Sequence, residues 1–193
     1  GNSWAGPCLL RSWMNGSGYY GNASVFSERE REAIAQTTLK SKAEYITDNK
    51  WGNWTYADVA TTDRVFALSV AECYALYEDG YARDKNLLGN TVGGFWTRSA
   101  AVGTTTNVGW IAGGGGRVMS TETTLSYFAS PAFNLDLSKV LFTSPASGGK
   151  SGTGLKAVST TTNREWKATL EDTSRTFKVT QTSATASPTG STV

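Results

Sequence analysis

Between Gly93 and Phe142 the chain reads Gly-Gly-Phe-Trp-Thr-Arg-Ser-Ala, then Val-Gly-Trp-Ile-Ala, four consecutive glycines, Arg-Val-Met-Ser, and a closing Ser-Pro-Ala-Phe-Asn-Leu-Asp-Leu. Apolar runs this short, each broken by glycine or led by proline, suit strands of a small irregular sheet. The spacing predicts strands over Phe95–Arg98, Val108–Ala112, Arg117–Ser120 and Ala132–Leu135, with Gly113–Gly116 turning a hairpin between the middle two. Trp96 and Trp110 alternate with polar neighbours and are expected in the core, together with Phe95, Ala132, Phe133 and Leu135. Most of the surface then belongs to loops, and loops on a rigid frame favour binding over catalysis.

Helices precede this sheet. Pro7 to Met14 puts Leu9, Leu10, Trp13 and Met14 on one helical face, a pattern for a buried tryptophan, and Asn15-Gly16 stops the helix. Ser27-Glu28-Arg29-Glu30 is a capping box, in which serine and glutamate satisfy each other's free backbone N–H groups, and a second box at Ser69-Val70-Ala71-Glu72 opens a helix ending near Asp79-Gly80. Arg64–Leu68 reads as the strand feeding that helix. Lys40 to Thr62 shows no clear period and is expected to be a long ordered loop. Helices first and strands later give the class α+β. The composition shifts after Ser144, so the domain reading is 1–144 for the α+β domain, 145–154 for a linker and 155–193 for a partial β extension of three strands, Leu155–Thr160, Glu165–Leu170 and Thr176–Thr182.

The 193 residues include no histidine. That removes the Ser-His-Asp triad, the imidazole general base and the usual histidine-bearing zinc sites. Eighteen Lys and Arg against sixteen Asp and Glu leave a net charge of +2 with no basic stripe, so nucleic acid is not the expected partner. No apolar run approaches the roughly 20 residues that cross a bilayer. Seven tryptophans, eight tyrosines and seven phenylalanines among many Gly, Ser, Thr and Asn resemble the mix of extracellular recognition surfaces. Cys8 and Cys73 each fall in a predicted helix. They read as two buried small apolar residues, with a single bridge between them as the alternative and a reactive nucleophile as the weakest reading.

Five segments, in order, resemble one family: Leu10-Arg11-Ser12-Trp13-Met14-Asn15-Gly16, Phe26-Ser27-Glu28-Arg29-Glu30, Thr62-Asp63-Arg64-Val65-Phe66-Ala67-Leu68-Ser69, Phe95-Trp96-Thr97-Arg98-Ser99 and Ser130-Pro131-Ala132-Phe133-Asn134-Leu135. They look like an uncharacterised, multi-copy surface domain of gut bacteria, whose members carry LRxWLNG, TDKVFLLS, WWLRSPG and VRPAFNLNL elements. The chain departs from that pattern at Ser130, where the family has arginine, and at Ala100, where it has proline. Members open with a further strand or two, so the resemblance implies a trimmed start. It also implies a C-type-lectin-like fold, related to the formylglycine-generating enzymes, with a loop-rich ligand face. The oxidase chemistry of those enzymes is not implied, because it needs a late cysteine pair and no Cys follows Cys73.

Gly148-Gly149-Lys150-Ser151 lacks the first glycine and the strand and helix of a phosphate loop, so it reads as linker. Asp48, Asn49, Asn53, Asp58 and Asp63 could offer oxygens to Ca²⁺, but their spacing fits no EF-hand loop; no metal site is assigned, and calcium is the one cofactor kept open. Glu72, Asp79, Asp84, Glu122 and Asp136 could supply a glycosidase pair, though each reads as a solvated surface carboxylate. Trp51, Trp54 and Tyr56 in a polar loop, and Asn107 in a turn between strands, are the ligand-binding candidates, because aromatic faces stack on sugars or anchor a protein partner. The expected function is a non-catalytic, secreted or cell-surface recognition domain that binds a glycan or a surface protein. A carboxylate-based glycosidase and a structural spacer remain the alternatives.

Overall fold

The computed structural model describes residues 2–48, 52–76, 86–87, 91–113, 116–147, 156–157 and 166–174. The chain forms two compact units, Gly1–Val140 and Leu141–Val193. In the first, helices α1 (Leu9–Asn15), α2 (Glu28–Ala33) and α3 (Val70–Leu76) are interleaved with strands β1 (Thr37–Leu39), β2 (Lys42–Asp48), β3 (Gly52–Asp58), β4 (Thr61–Asp63) and β5 (Phe66–Ala67). Strands β6 (Asn86–Leu87), β7 (Thr91–Val92), β8 (Phe95–Ala101), β9 (Asn107–Ile111), β10 (Val118–Glu122) and β11 (Pro131–Ala132) follow. The class is α+β. A five-stranded antiparallel sheet in the order β10-β9-β8-β3-β2 is flanked by the two-stranded pairs β1-β4, β11-β5 and β6-β7.

One apolar cluster joins α3 to the large sheet through Val70, Cys73, Tyr56, Phe95, Ala101, Ile111 and Val118. A second gathers Trp4, Met14, Leu39, Val65, Phe66 and Ala67 around α1. The paired glycines before β8 have a packing reason. A Cβ at Gly94 would stand 2.1 Å from the Trp110 ring, and one at Gly93 would stand 2.2 Å from Phe128, so only glycine lets those rings lie across the strand start. Beyond the hairpin turn, Gly116 has φ +59°, in the left-handed region that glycine enters freely.

Asn15 clamps α1 to the strand region that follows β4. Its Oδ1 accepts from the N–H groups of Arg64 and Val65 at 3.0 and 3.1 Å, while its Nδ2 donates to Val65 O at 2.7 Å and Arg11 O at 3.2 Å. Asp63 completes the joint, because its Oδ1 accepts from Arg11 Nε at 2.8 Å and its Oδ2 from Trp4 Nε1 at 3.1 Å and Thr61 Oγ1 at 2.7 Å. Two sequence segments about fifty residues apart are thus joined by side chains that replace missing backbone partners.

Several expectations change. The stretch Lys40 to Thr62 is not a loop: β2 and β3 pair as a hairpin from Lys42↔Asp58 to Asp48↔Gly52. Its polarity is inverted, with Glu44 and Asp58 buried and Tyr45 62% exposed, and this hid the two-residue period. Trp13 is not buried; it is 43% exposed, tilted against Tyr19, and Leu9 is 88% exposed, leaving Met14 as the buried residue of α1. Trp96 and Trp110 are half-buried, outside both apolar clusters, and Trp110 stacks on Tyr127. Cys8 stands at the N-cap position just outside α1, and Cys8 and Cys73 are not bridged to each other. The capping box at Ser27 forms in full. In the second unit, β12 (Val140–Ser147) lies between β13 (Lys156–Ala157) and β14 (Trp166–Leu170), so residues 145–147 of the expected linker are strand. The rest of that linker, residues 148–154, with the phosphate-loop-like Gly148–Ser151 inside it, and the third expected strand of the extension lie outside the described residues.

Replacing Asn15 with alanine strips two backbone N–H groups of their acceptor and is expected to lower the unfolding free energy by about 2 to 3 kcal/mol in urea titrations. A loss below about 0.5 kcal/mol would show that the clamp is not needed. The Tyr56 hydroxyl is buried with no hydrogen-bond partner, so Tyr56→Phe is expected to be neutral or to stabilise by up to about 1 kcal/mol in the same assay. A clear loss of stability would contradict that placement.

Candidate functional site

Strand β3 stops at Asp58, leaving the start of β8 without that neighbour, and the backbone N–H of Arg98 donates instead to Leu68 O at 3.1 Å. The Arg98 side chain enters the same gap and is 4% exposed. Its Nη1 donates to Ala67 O at 3.0 Å and to Glu72 Oε2, and its Nη2 donates to Glu72 Oε1 at 2.7 Å, a two-pronged pairing that matches guanidinium to carboxylate. Asp58 Oδ2 lies 3.9 Å from Nη2.

Glu72 has a second duty. It is the acidic member of the α3 capping box: its Oε2 accepts from Ser69 N at 2.9 Å, and its own N–H donates to Ser69 Oγ at 3.1 Å. Glu44, reaching across from β2, accepts from Ala71 N at 2.9 Å and from Ser69 Oγ at 3.1 Å, so it too meets the positive end of that helix. Ser99 donates its hydroxyl to Asp58 Oδ1 at 2.7 Å and accepts from Val70 N at 3.0 Å. Three carboxylates and one guanidinium therefore converge on the first turn of α3.

Their environments push them apart. Burial and the nearby Asp58 carboxylate raise the Glu44 pKa, against hydrogen bonds from Ala71 and Ser69 that favour its charged form. Burial alone would raise Glu72 as well, but the Arg98 hydrogen bonds, the Ser69 N–H and the positive charges of Arg98 and Lys42 together outweigh it and hold Glu72 below the ordinary glutamate value. Burial works against the charge on Arg98, and the carboxylates of Glu72, Asp58 and Glu44 together overcome it, keeping the guanidinium above its usual pKa.

These groups line a cleft of about 780 Å³, within the range of small-ligand sites. Glu44, Asp58, Ser69, Glu72 and Arg98 form its polar lining, with Lys40 and Lys42 also at its wall, and Leu39, Phe66, Leu68, Pro131, Ala132 and Phe133 supply apolar surface. Among the described residues no group of three or more His, Cys, Asp or Glu side chains is arranged to hold a metal ion. Asp58 and Asp63, weighed as calcium ligands, instead serve Ser99 and the Arg11–Trp4 joint.

The sequence candidates fall elsewhere. Tyr56 is 0% exposed inside the α3 cluster, so it is a core residue and meets no ligand at the surface. Trp54 pairs with Ile46 in the β2–β3 hairpin, and Trp51 lies outside the described residues. Asn107 is half-buried at the start of β9; its carbonyl accepts from Asn2 Nδ2 at 2.8 Å and its Oδ1 from Thr106 at 3.0 Å. Of the carboxylates considered for hydrolysis, Glu72 lines the cleft, Glu122 is exposed, Asp136 caps a short helical turn, and Asp79 and Asp84 lie outside the described residues. Sequence reasoning missed Glu44 and Arg98 as site residues. A strand register pairing Lys42 with Asp58 and Glu44 with Tyr56 was the signal, and it was hidden by reading the hairpin as a loop.

Residues 2–137 match the family model described as a domain of unknown function, DUF6273. The chain belongs to that family. The matched DUF6273 span contains the whole Arg98 cluster and the Asn15–Asp63 joint. No curated protein and no solved structure matches the chain. No helix of this DUF6273 chain, among the described residues, is long and apolar enough to cross a membrane.

The two glutamates set opposite pH responses. Glu72, with its pKa lowered by folding, contributes stability that is present above the ordinary glutamate pKa of about 4.3 and is lost as pH falls through its folded value. Glu44, with its pKa raised, contributes stability that is present below that ordinary value and is lost as pH rises through its folded value. In melting-temperature profiles from pH 3 to 8, Glu72→Gln is expected to flatten the acid limb, while Glu44→Gln gains on the wild type as pH rises. Profiles that run parallel to the wild type for both variants would refute the assignment.

Proposed function

We propose that this domain is a non-catalytic recognition module of the secreted or cell-surface kind, and that the cleft at the α3 start binds a glycan. The observation that carries this reading is the division of the cleft between rigidly held carboxylates and apolar surface from Leu39, Phe66, Pro131 and Phe133. Sugar hydroxyls donate to carboxylates, and the C–H face of a pyranose packs on apolar side chains. The oxygens of Glu44, Asp58 and Glu72 are fixed by their own hydrogen bonds, so the acceptors are placed before a ligand arrives.

The same carboxylates speak against hydrolysis. A glycosidase pair stands about 5 to 10 Å apart, with room for the sugar or a water between. Asp58 acts on Glu44 as a neighbouring like charge, Asp58 is held by Ser99, and Glu72 is tied to Arg98. A C-type-lectin-like ancestry shared with formylglycine-generating enzymes, and occurrence as repeated surface domains in gut bacteria, fit this reading and belong to the proposal.

A glycan array tests it. The full chain is expected to bind a defined subset of glycans, and Ala75→Trp, which crowds the cleft from an exposed position on α3, is expected to weaken that binding at least tenfold with an unchanged melting temperature. Loss on Trp54→Ala but not on Ala75→Trp would move the site to the β2–β3 hairpin. Absence of binding to any glycan would leave a surface protein or a spacer role.

A further inference from the structure

Strand β2 ends the five-stranded sheet, and among the described residues no strand pairs with its outer side. An open edge of seven residues is a template for another strand. The neighbouring pairs decide which backbone groups it offers. Thr55 O accepts from Val102 N at 2.9 Å, so Thr55 turns its backbone groups toward β8. These groups alternate from side to side along a strand, so Tyr56 and its partner Glu44 turn theirs toward each other. Ala43, Tyr45 and Thr47 therefore present their N–H and C=O groups outward.

Little protects this edge. The β2–β3 register runs from Lys42 to Asp48 without a bulge, and β2 holds no proline. Glu44 is an inward charge of the kind that discourages pairing, but Ala71 N and Ser69 Oγ already engage its carboxylate on the face that carries α3. On the opposite face Tyr45 is 62% exposed, and Ala43 is exposed as well. Lys42 is the remaining guard, a charge that edge strands use against unwanted partners.

The pattern of the strand selects its partner. Set antiparallel against a second copy and centred on Tyr45, Lys-Ala-Glu-Tyr-Ile-Thr-Asp places Lys42 opposite Asp48, Ala43 opposite Thr47 and Tyr45 opposite Tyr45. Outward residues then meet outward residues, and each such pair can exchange both N–H···O=C bonds. Opposite charges meet at both ends of the ladder. A slip by one residue sets outward groups against inward ones, and a slip by two sets Glu44 against Glu44 or against Asp48.

We propose that two copies of the chain pair β2 with β2 in this register and join their five-stranded sheets into one continuous sheet. Residues directly opposite each other in antiparallel strands point to the same face, so both copies carry α3 on one face of the joined sheet. On the glycan reading above, the two clefts then lie on the same side, which suits a multivalent glycan surface. The pairing itself does not rest on that reading.

Sedimentation equilibrium of the full chain over a concentration series tests it. A mass twice that of one chain is expected at about 100 μM, where a dimer with a micromolar Kd is mostly assembled. Tyr45→Pro removes an outward N–H and leaves the β3 ladder intact, so a monomer with an unchanged circular dichroism spectrum is expected. Asp48→Lys, which serves should the proline variant not fold, sets lysine against lysine and is expected to raise the dimer Kd about tenfold. Register has its own readout. Tyr45→Cys is expected to give a dimer linked through position 45 on mild oxidation, since paired Cα atoms about 5.5 Å apart suit a disulfide. Ala43→Cys, which faces Thr47 of the second copy, is not. Three outcomes overturn the proposal: a monomer throughout the series, a dimer unchanged in folded Tyr45→Pro or Asp48→Lys, or linkage through position 43 as ready as through 45. Glycan binding by a single cleft is read separately on the array, and none of these outcomes bears on it.

Discussion

Arg98 carries a positive charge into a gap between strands where almost none of its side chain touches water, and much of the first unit is arranged around that charge. Taking a guanidinium out of water costs several kcal/mol unless it is paired and hydrogen-bonded. Glu72 provides the pairing, and since the same Glu72 closes the α3 capping box, the helix start, the β5–α3 connection and β8 are held through one ion pair. Glu44 and Asp58 extend the arrangement to β2 and β3. Removal of one member of such a pair leaves its partner buried and unmatched, and that penalty, more than the attraction, makes the cluster a point of structural uniqueness.

The second joint, at Asn15 and Asp63, works differently. There, side chains stand in for backbone partners where regular pairing ends. Together the two joints explain how strands of only two or three residues, such as β5 and β11, keep their places. Short strands bury little and rely on polar side chains for register.

The polar cluster also gives the cleft its chemistry. Carboxylates that hold α3 to the sheet also line the cleft, so one set of groups fixes the fold and forms the cavity wall.

Local signals were legible in the chain where the interaction is local. The capping boxes at Ser27 and Ser69 each bind residues three apart, so the letters alone define them. The strand starts around Phe95 and Val108 were legible because glycine and apolar residues alternate there. The β2–β3 hairpin was not, because its buried positions hold Glu44 and Asp58. A carboxylate reads as solvent-facing until the arginine that neutralises it, forty or more residues away, is known to be beside it. Tyr56 and Trp13 exchanged their expected places for the same reason: burial of an aromatic ring depends on what packs over it. The sequence by itself determined the α+β class, the caps and the excluded chemistries that need histidine, since these follow from composition and near neighbours. Only the tertiary structure decided which carboxylates converge on Arg98 and which cavities result, because charge pairing over long sequence separation is a property of the folded chain.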